Sequence, residues 1–320
     1  MSENYIKLYA ASSEADAAFF LTEGAIFLYP SNVDKYAIRG RNLIFGSTEI
    51  ILNKLCGIKT TRIETAIADP GSMIKKIAID NFLKSLGSFS FGLNVLTIIA
   101  KQIMLTNEII QKNLSVLKDD ENKTKKFSIE YYSIISRLQE EYDKRKYPWL
   151  KSLIQEFSDS LTYKRGEAYY KSSESVRIVP TASLSDKDVE YPKGALICEE
   201  NSTGNEMFIL KSGSLDVIIQ GNKVATIEEP GTVIGEMALL LGETRSATLQ
   251  AKNRVIMSRL FKEDLEDAVL KQADFLPNVA QTLAKRHYYN ILKIDHINRA
   301  IIEQDINKTM PGKREILYSE

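Results

Sequence analysis

The run Gly235-Glu236-Met237-Ala238-Leu239-Leu240-Leu241-Gly242-Glu243-Thr244-Arg245-Ser246-Ala247-Thr248 carries more chemical information than any other part of the chain. Two glycines bracket a short apolar stretch, and an arginine with a following hydroxyl residue comes after the second. Gly235 opens a helix of about two turns, and its missing side chain lets a ligand approach the backbone. At a helix start the N–H groups of Glu236, Met237 and Ala238 have no intrahelical acceptor, so they attract an anion. Arg245 offers a planar fork of donors suited to phosphate oxygens. Ser246 adds a hydroxyl donor, and Glu236 can accept from sugar hydroxyls. The plainer alternative is a structural ion pair between Glu236 and Arg245. The full run outweighs it, because a small barrel has little reason to bring two charges together.

The surroundings are strands. Upstream, Tyr191-Pro192-Lys193-Gly194 reads as a turn and Ala195 to Cys198 as a strand. A second turn, Ser202 to Asn205, precedes the strand Met207 to Leu210. Lys211-Ser212-Gly213-Ser214 turns into the strand Leu215 to Ile219, and Gln220-Gly221-Asn222 makes a hairpin with Val224 to Ile227. Short strands at regular turn spacing indicate a small barrel or jelly roll. After Glu263 the apolar period becomes helical through Leu265, Val269, Leu276, Leu283, Ile291 and Ile297. Pro277 splits this region near a helix start.

The amino-terminal part repeats the pattern. Phe19-Phe20-Leu21-Thr22-Glu23-Gly24 aligns with Phe208-Ile209-Leu210-Lys211-Ser212-Gly213, and the same offset sets Phe45-Gly46 on Ile234-Gly235. Six extra residues enter around Asn53 to Lys59, after which Arg62 falls on Arg245 and Thr65 on Thr248. In this copy Ser47 stands where Glu236 does. Ile63-Glu64 replaces Ser246-Ala247, which puts an acid beside the arginine. Glu49 reads as an edge or solvent carboxylate. The strands expected here are Phe19 to Leu21, Ile26 to Tyr29 and Tyr36 to Ile38, with Gly24 as punctuation.

Between the copies lie helices at 93–117, 127–146 (stopped by Pro148) and 150–161, then a polar loop at 163–187. The expected architecture is α+β, with two β-roll modules joined and flanked by long helices. Residues 1–90 form a first β-roll and 91–162 a helical connector. Residues 163–275 form the second β-roll, and 276–320 the terminal helices and tail.

Composition limits the chemistry. Lys plus Arg and Asp plus Glu both number 42, so a polybasic nucleic-acid binder and an acidic disordered tail are excluded. Cys56 and Cys198 form no C-x-x-C pair and read as reduced, buried thiols. His287 and His296 sit on opposite faces of a helix, so no histidine metal site is expected. Elbow, P-loop and dinucleotide motifs are missing, so no catalytic residues and no enzyme activity are expected. Leu93 to Leu105 is interrupted by Asn94, Lys101 and Gln102 and reads as too short and too polar to span a bilayer. The start of the chain lacks a signal-peptide layout. A cytoplasmic protein is expected.

A cradle for one negative charge beside a sugar hydroxyl describes a cyclic nucleotide. The Gly235–Thr248 run resembles the phosphate-binding cassette of cyclic nucleotide-binding domains, the module of catabolite activator protein and the regulatory subunits of protein kinase A. The strands from Tyr191 to Gly213 are similar to that family's first strands. The resemblance implies an antiparallel β-roll in which Glu236 binds the ribose 2′-hydroxyl. Arg245 and the Gly235, Glu236, Met237 and Ala238 backbone would bind the cyclic phosphate, with Ser246 beside them. It also implies a base lid on the final helix, for which Tyr288 and Tyr289 are candidates; filling a helix seam is an equal reading of both. The ligand expected is a cyclic mononucleotide, cAMP in preference to cGMP. The first copy is a degenerate module that binds no nucleotide.

The function expected is therefore a cyclic nucleotide sensor that signals through helix rearrangement to a downstream protein or a second copy of the chain. The alternatives are a scaffold with two degenerate β-rolls and a cyclic di-GMP effector. DNA binding is not expected, because only about 45 residues follow the cassette helices, too few for a recognition domain.

Overall fold

A computed structural model describes residues 5–117, 121–172, 176–177, 188–219 and 221–309. The tail Met310-Pro311-Gly312-Lys313 and most of the segment 173–187 lie outside the described residues. The first module contains β1 (Ile6–Tyr9), β2 (Ala17–Tyr29), β3 (Tyr36–Phe45), α1 (Thr48–Leu55), β4 (Thr65–Ala68), β5 (Met73–Ala78) and α2 (Ile79–Ser85). Its strands run in the order β1-β4-β2-β3, with β5 also paired to β2. Four helices follow: α3 (Phe89–Val116), α4 (Glu121–Arg145), α5 (Pro148–Ser158) and α6 (Leu161–Ser172).

The second module begins with β6 (Val176–Arg177), β7 (Asp188–Tyr191), β8 (Leu196–Cys198), β9 (Glu206–Ser212), β10 (Leu215–Ile219), β11 (Asn222–Ile227) and β12 (Thr232–Ile234). It continues with α7 (Glu236–Leu241), β13 (Thr248–Ala251), β14 (Val255–Phe261), a 3-10 turn (Lys262–Asp264), α8 (Leu265–Lys271) and α9 (Phe275–Thr309). Two sheets, β11-β10-β13-β8 and β6-β12-β9-β14-β7, make up this β-roll.

The two modules share strand registers. Ile26 pairs with Ala68 in the first, and Leu215 with Ala251 in the second. Phe20 pairs with Ile44, and Ile209 with Val233. Ala17 pairs with Ala78, and Glu206 with Phe261. These pairs match at the same two offsets that align the sequences. One difference corrects the sequence reading. β2 runs unbroken through Gly24, where a strand end was expected, whereas β9 and β10 are separate strands. At Gly24 φ is 131°, and a Cβ there would fall 2.2 Å from Ser72 Oγ. Ser72 Oγ accepts from the Ala25 N–H at 3.1 Å, which keeps the strand continuous past its kink.

The modules share one apolar core. It joins Ile50, Ile51 and Leu52 of α1 to Ile99 and Ile103 of α3, Leu239 of α7 and Leu283 of α9. α3 and α9 lie along each other, α1 rests on α9, and α7 rests on α3. Each cassette helix is thus supported by the long helix that follows the other module. Asn290 of α9 fastens the two long helices. Its Nδ2 donates to Thr106 Oγ1 at 3.0 Å and Asn107 Oδ1 at 2.9 Å.

Three further expectations change. The Leu93–Leu105 stretch belongs to a helix of 28 residues that is long and apolar enough, by length and composition, to cross a membrane. Half of its most apolar window is buried inside the protein, against the shared core. The expected loop at 163–187 begins as helix α6. Gly166 lets α6 close onto α4, since a Cβ there would fall 1.9 Å from the Ser128 carbonyl oxygen. Pro277 lies in the first turn of α9, so the break between the final helices falls just before it, at Gln272 to Asp274.

Candidate functional site

The cassette folds as its glycines require. Gly235 (φ 86°) caps the start of α7 and Gly242 (φ 70°) its end, both left-handed conformations that other residues rarely adopt. The Gly242 N–H donates to the Ala238 carbonyl at 2.8 Å and turns the chain toward Arg245. The backbone of Arg245 is locked in place. Its N–H donates to Ser202 O and its own carbonyl accepts from the Asn201 N–H, both at 2.8 Å.

The Arg245 side chain is 4% exposed and anchored at both prongs. Nη1 donates to Gly235 O at 3.2 Å and Nη2 to Glu206 O at 2.7 Å. The guanidinium lies over the Phe208 ring, 5.4 Å from its centroid. Gly204 and Gly235 make the room. A Cβ on Gly204 would fall 2.2 Å from Arg245 Nε, and one on Gly235 2.1 Å from Nη1. Gly204 is a site residue that sequence reasoning placed only in a turn. No local signal marks it, because its role is set by the approach of Arg245 from 41 residues on.

Glu236, 3% exposed, does not clasp Arg245. Its Oε1 accepts from Nη1 of Arg286, a residue of α9. The acid and the guanidinium of the cassette are therefore held apart, each by a different partner. Glu236 also borders an apolar cleft lined by Leu96, Leu240, Leu276 and Val279. Ala238 is buried, Met237 packs half-buried on the shared core, and Ser246 is exposed beside Arg245. Tyr288 packs on the shared core, and Tyr289 is buried with its ring edge-on to Tyr288 at 5.2 Å.

In the first module the acid beside Arg62 is not the one expected. Glu64 turns inward, where it accepts from Tyr36 OH at 2.6 Å and Gln102 Nε2 at 2.9 Å. Burial raises its pKa to about 8. Glu49, read as an edge or solvent carboxylate, is buried and pairs with Arg62 at 3.1 Å. Its neighbours are Arg62 and the Ile63 backbone, and the Tyr9 ring lies over the guanidinium. His287 is buried between Tyr36 OH, 3.4 Å from its Nε2, and Thr48 Oγ1, 3.0 Å from its Nδ1. Desolvation lowers its pKa to about 3, so it is neutral.

Among the described residues no group of three or more His, Cys, Asp or Glu side chains is placed to hold a metal ion. Cys56 and Cys198 are free and half-buried, and burial raises both thiols.

The family model for the cyclic nucleotide-binding domain matches residues 188–272, the span from β7 to the end of α8. Residues 188–272 are a cyclic nucleotide-binding domain. The chain is 40% identical over 75 residues to a cyclic nucleotide-gated potassium channel of Mesorhizobium japonicum, covering 23% of this chain and 20% of the channel. It is 27% identical over 90 residues to the cAMP-dependent protein kinase regulatory subunit of Schizosaccharomyces pombe, covering 28% of this chain and 22% of that one. The chain thus spans about a quarter or less of the length of the curated relatives it matches. A solved structure, cAMP-bound PfPKA-R (141–441), aligns over 83% of this chain and 70% of that one, at 17% identity and a TM-score of 0.29. The matched residues include Glu236 and Arg245 of the cassette.

Proposed function

We propose that this chain is a cytoplasmic, non-catalytic sensor that binds a cyclic mononucleotide in its second β-roll, with cAMP preferred over cGMP. The observation that carries the reading is the separation of Glu236 and Arg245. Two buried, opposite charges nine residues apart do not neutralise each other. Arg245 is tied to backbone carbonyls and Glu236 to Arg286. In this reading Arg245 takes the cyclic phosphate with Ser246 beside it, and Glu236 takes the ribose hydroxyl through Oε2 while Arg286 keeps Oε1. The first β-roll is a degenerate copy of the same module.

The signal leaves through α9. Arg286 touches the site, and the next residue, His287, is fastened to the first module through Thr48 and Tyr36. A ligand that draws on Glu236 therefore changes how α9 is held between the two modules. The cleft beside Glu236 is lined by non-directional apolar contacts that tolerate a shift of the helix. The response needs a ligand that binds one helix position better than the other. A downstream protein or a second copy of the chain reads the change.

Titration calorimetry with cAMP, cGMP and cyclic di-GMP tests this. The wild type binds a cyclic mononucleotide, and Arg245→Ala and Glu236→Ala each lose that binding. A second reading, a scaffold without ligand, rests on Arg62, which is anchored to carbonyls much as Arg245 is. It prevails if no nucleotide gives heat with the wild type. Heat with cyclic di-GMP alone makes the chain an effector of that dinucleotide.

A further inference from the structure

The two modules grip their arginines through the same atoms of matching residues. In the first, Arg62 Nη1 donates to Gly46 O at 2.7 Å and Nη2 donates to Ala17 O. In the second the acceptors are Gly235 O and Glu206 O. The alignment offset carries Gly46 onto Gly235 and Ala17 onto Glu206. Phe19 underlies Arg62 at 5.7 Å as Phe208 underlies Arg245 at 5.4 Å.

Among the cassette differences between the modules, one falls directly on the arginine. Where the second module has Ala238, the first has Glu49. The Glu49 carboxylate spans two donors. Oε2 accepts from Arg62 Nη1 and Oε1 from the Ile63 N–H, both at 3.1 Å. The two side chains are 0% and 2% exposed, and the Tyr9 ring closes over the guanidinium at 4.2 Å.

We propose that the first module carries a latent oxyanion site that Glu49 fills from within. This rests on reading Arg245 as the phosphate ligand of the second module. The carboxylate takes the place at Arg62 that a phosphate group takes at Arg245, so the first module is permanently liganded and closed to nucleotide. Three buried donors near the pair, Ser47 Oγ, Tyr9 OH and Arg62 Nε, have no hydrogen-bond partner among the described residues. A carboxylate has two oxygens, both engaged here, whereas a tetrahedral oxyanion has four. Removing Glu49 uncovers a site for the phosphate or sulfate class.

The test is the urea-unfolding midpoint of the full chain against inorganic phosphate, with chloride balancing ionic strength. The proteins compared are wild type, Glu49→Ala and the double variant Glu49→Ala/Arg62→Met. Glu49→Ala restores the residue found at 238 and leaves Arg62 uncompensated, so it is the least stable in chloride and gains most from phosphate. At phosphate a hundredfold above its dissociation constant, its folded-to-unfolded ratio rises about a hundredfold. Wild type and the double variant respond weakly and alike. A phosphate response of Glu49→Ala no larger than that of wild type overturns the proposal. If Glu49→Ala does not fold in chloride, Glu49→Ser, which also vacates the place of the carboxylate but keeps a polar group, gives the same readout, and a flat response there overturns it equally. Titration of wild type with cAMP reads the second site separately, so a failure of the sensor reading is distinguished from a failure of this one.

Discussion

Gly204→Ala is a sharp test of how the second β-roll holds its arginine. Gly204 lies outside the left-handed region, so alanine fits its backbone, and the atoms nearest the added methyl belong to Arg245: Nε at 2.2 Å, Cζ at 2.3 Å and Nη2 at 2.5 Å. Ordinary carbon contacts begin near 3.5 Å, so the guanidinium must retreat by about 1 Å or more. It then leaves Glu206 O and Gly235 O. Hydrogen bonds to a charged group contribute roughly 1.5–3 kcal/mol each, but the displaced side chain can reach water, so the net stability loss is about 1–2 kcal/mol. The effect on ligand is larger. Disrupting a buried, hydrogen-bonded charge contact costs at least about 2 kcal/mol, or roughly thirtyfold in affinity. Calorimetric titration with cAMP and cGMP measures it. Gly87→Ala serves as the control, because a Cβ there meets only Ala273 O at 3.5 Å. A Gly204→Ala dissociation constant within threefold of wild type would refute the claim that Arg245 in this position is a ligand contact.

Other consequences are testable in solution. Glu64, raised to about 8 by burial, keeps its proton in the folded protein after the unfolded chain has lost it, so stability falls as pH rises from about 4.5 to 8. His287, lowered to about 3, stays neutral when folded, so stability falls as pH drops from about 6.5 to 3. The two slopes cancel between about 4.5 and 6.5, giving a plateau with flanks of about 1.4 kcal/mol per pH unit. Urea midpoints across this range check it, and Glu64→Gln flattens the alkaline flank; a midpoint that climbs from pH 6.5 to 8 contradicts it. Arg62→Met leaves Glu49 buried without its cation and costs about 3–5 kcal/mol, measured by the same unfolding. Asn290→Leu strips Thr106 and Asn107 of their donor across the α3–α9 seam and costs about 1–3 kcal/mol, with faster hydrogen exchange along both helices as the local readout.

The cassette was legible in the sequence because its geometry is local. Gly235 and Gly242 set the two left-handed turns of a six-residue helix, and Arg245 follows within one short loop. The strands were legible where turn residues bound them and misread at Gly24. There the glycine serves a close approach to Ser72 and not a chain reversal. The start of α6 was missed because its apolar period is weak, and its register depends on Gly166 meeting α4.

Residue types and their spacing along the chain determined the α+β character, the small β-barrel of the second module, the six-residue insertion in the first copy and the short list of charged site residues. These follow from turn chemistry and apolar period, which act over a dozen residues at most. Tertiary structure decided the partners. Only the placement of α9 could give Glu236 to Arg286, 50 residues on, and only the fold could draw Glu64 to Tyr36 and Gln102 of α3 and leave Glu49 as the acid bonded to Arg62. A buried charge pairs with whatever partner the folded chain brings within reach, and that reach is set by how helices distant in sequence come to lie together.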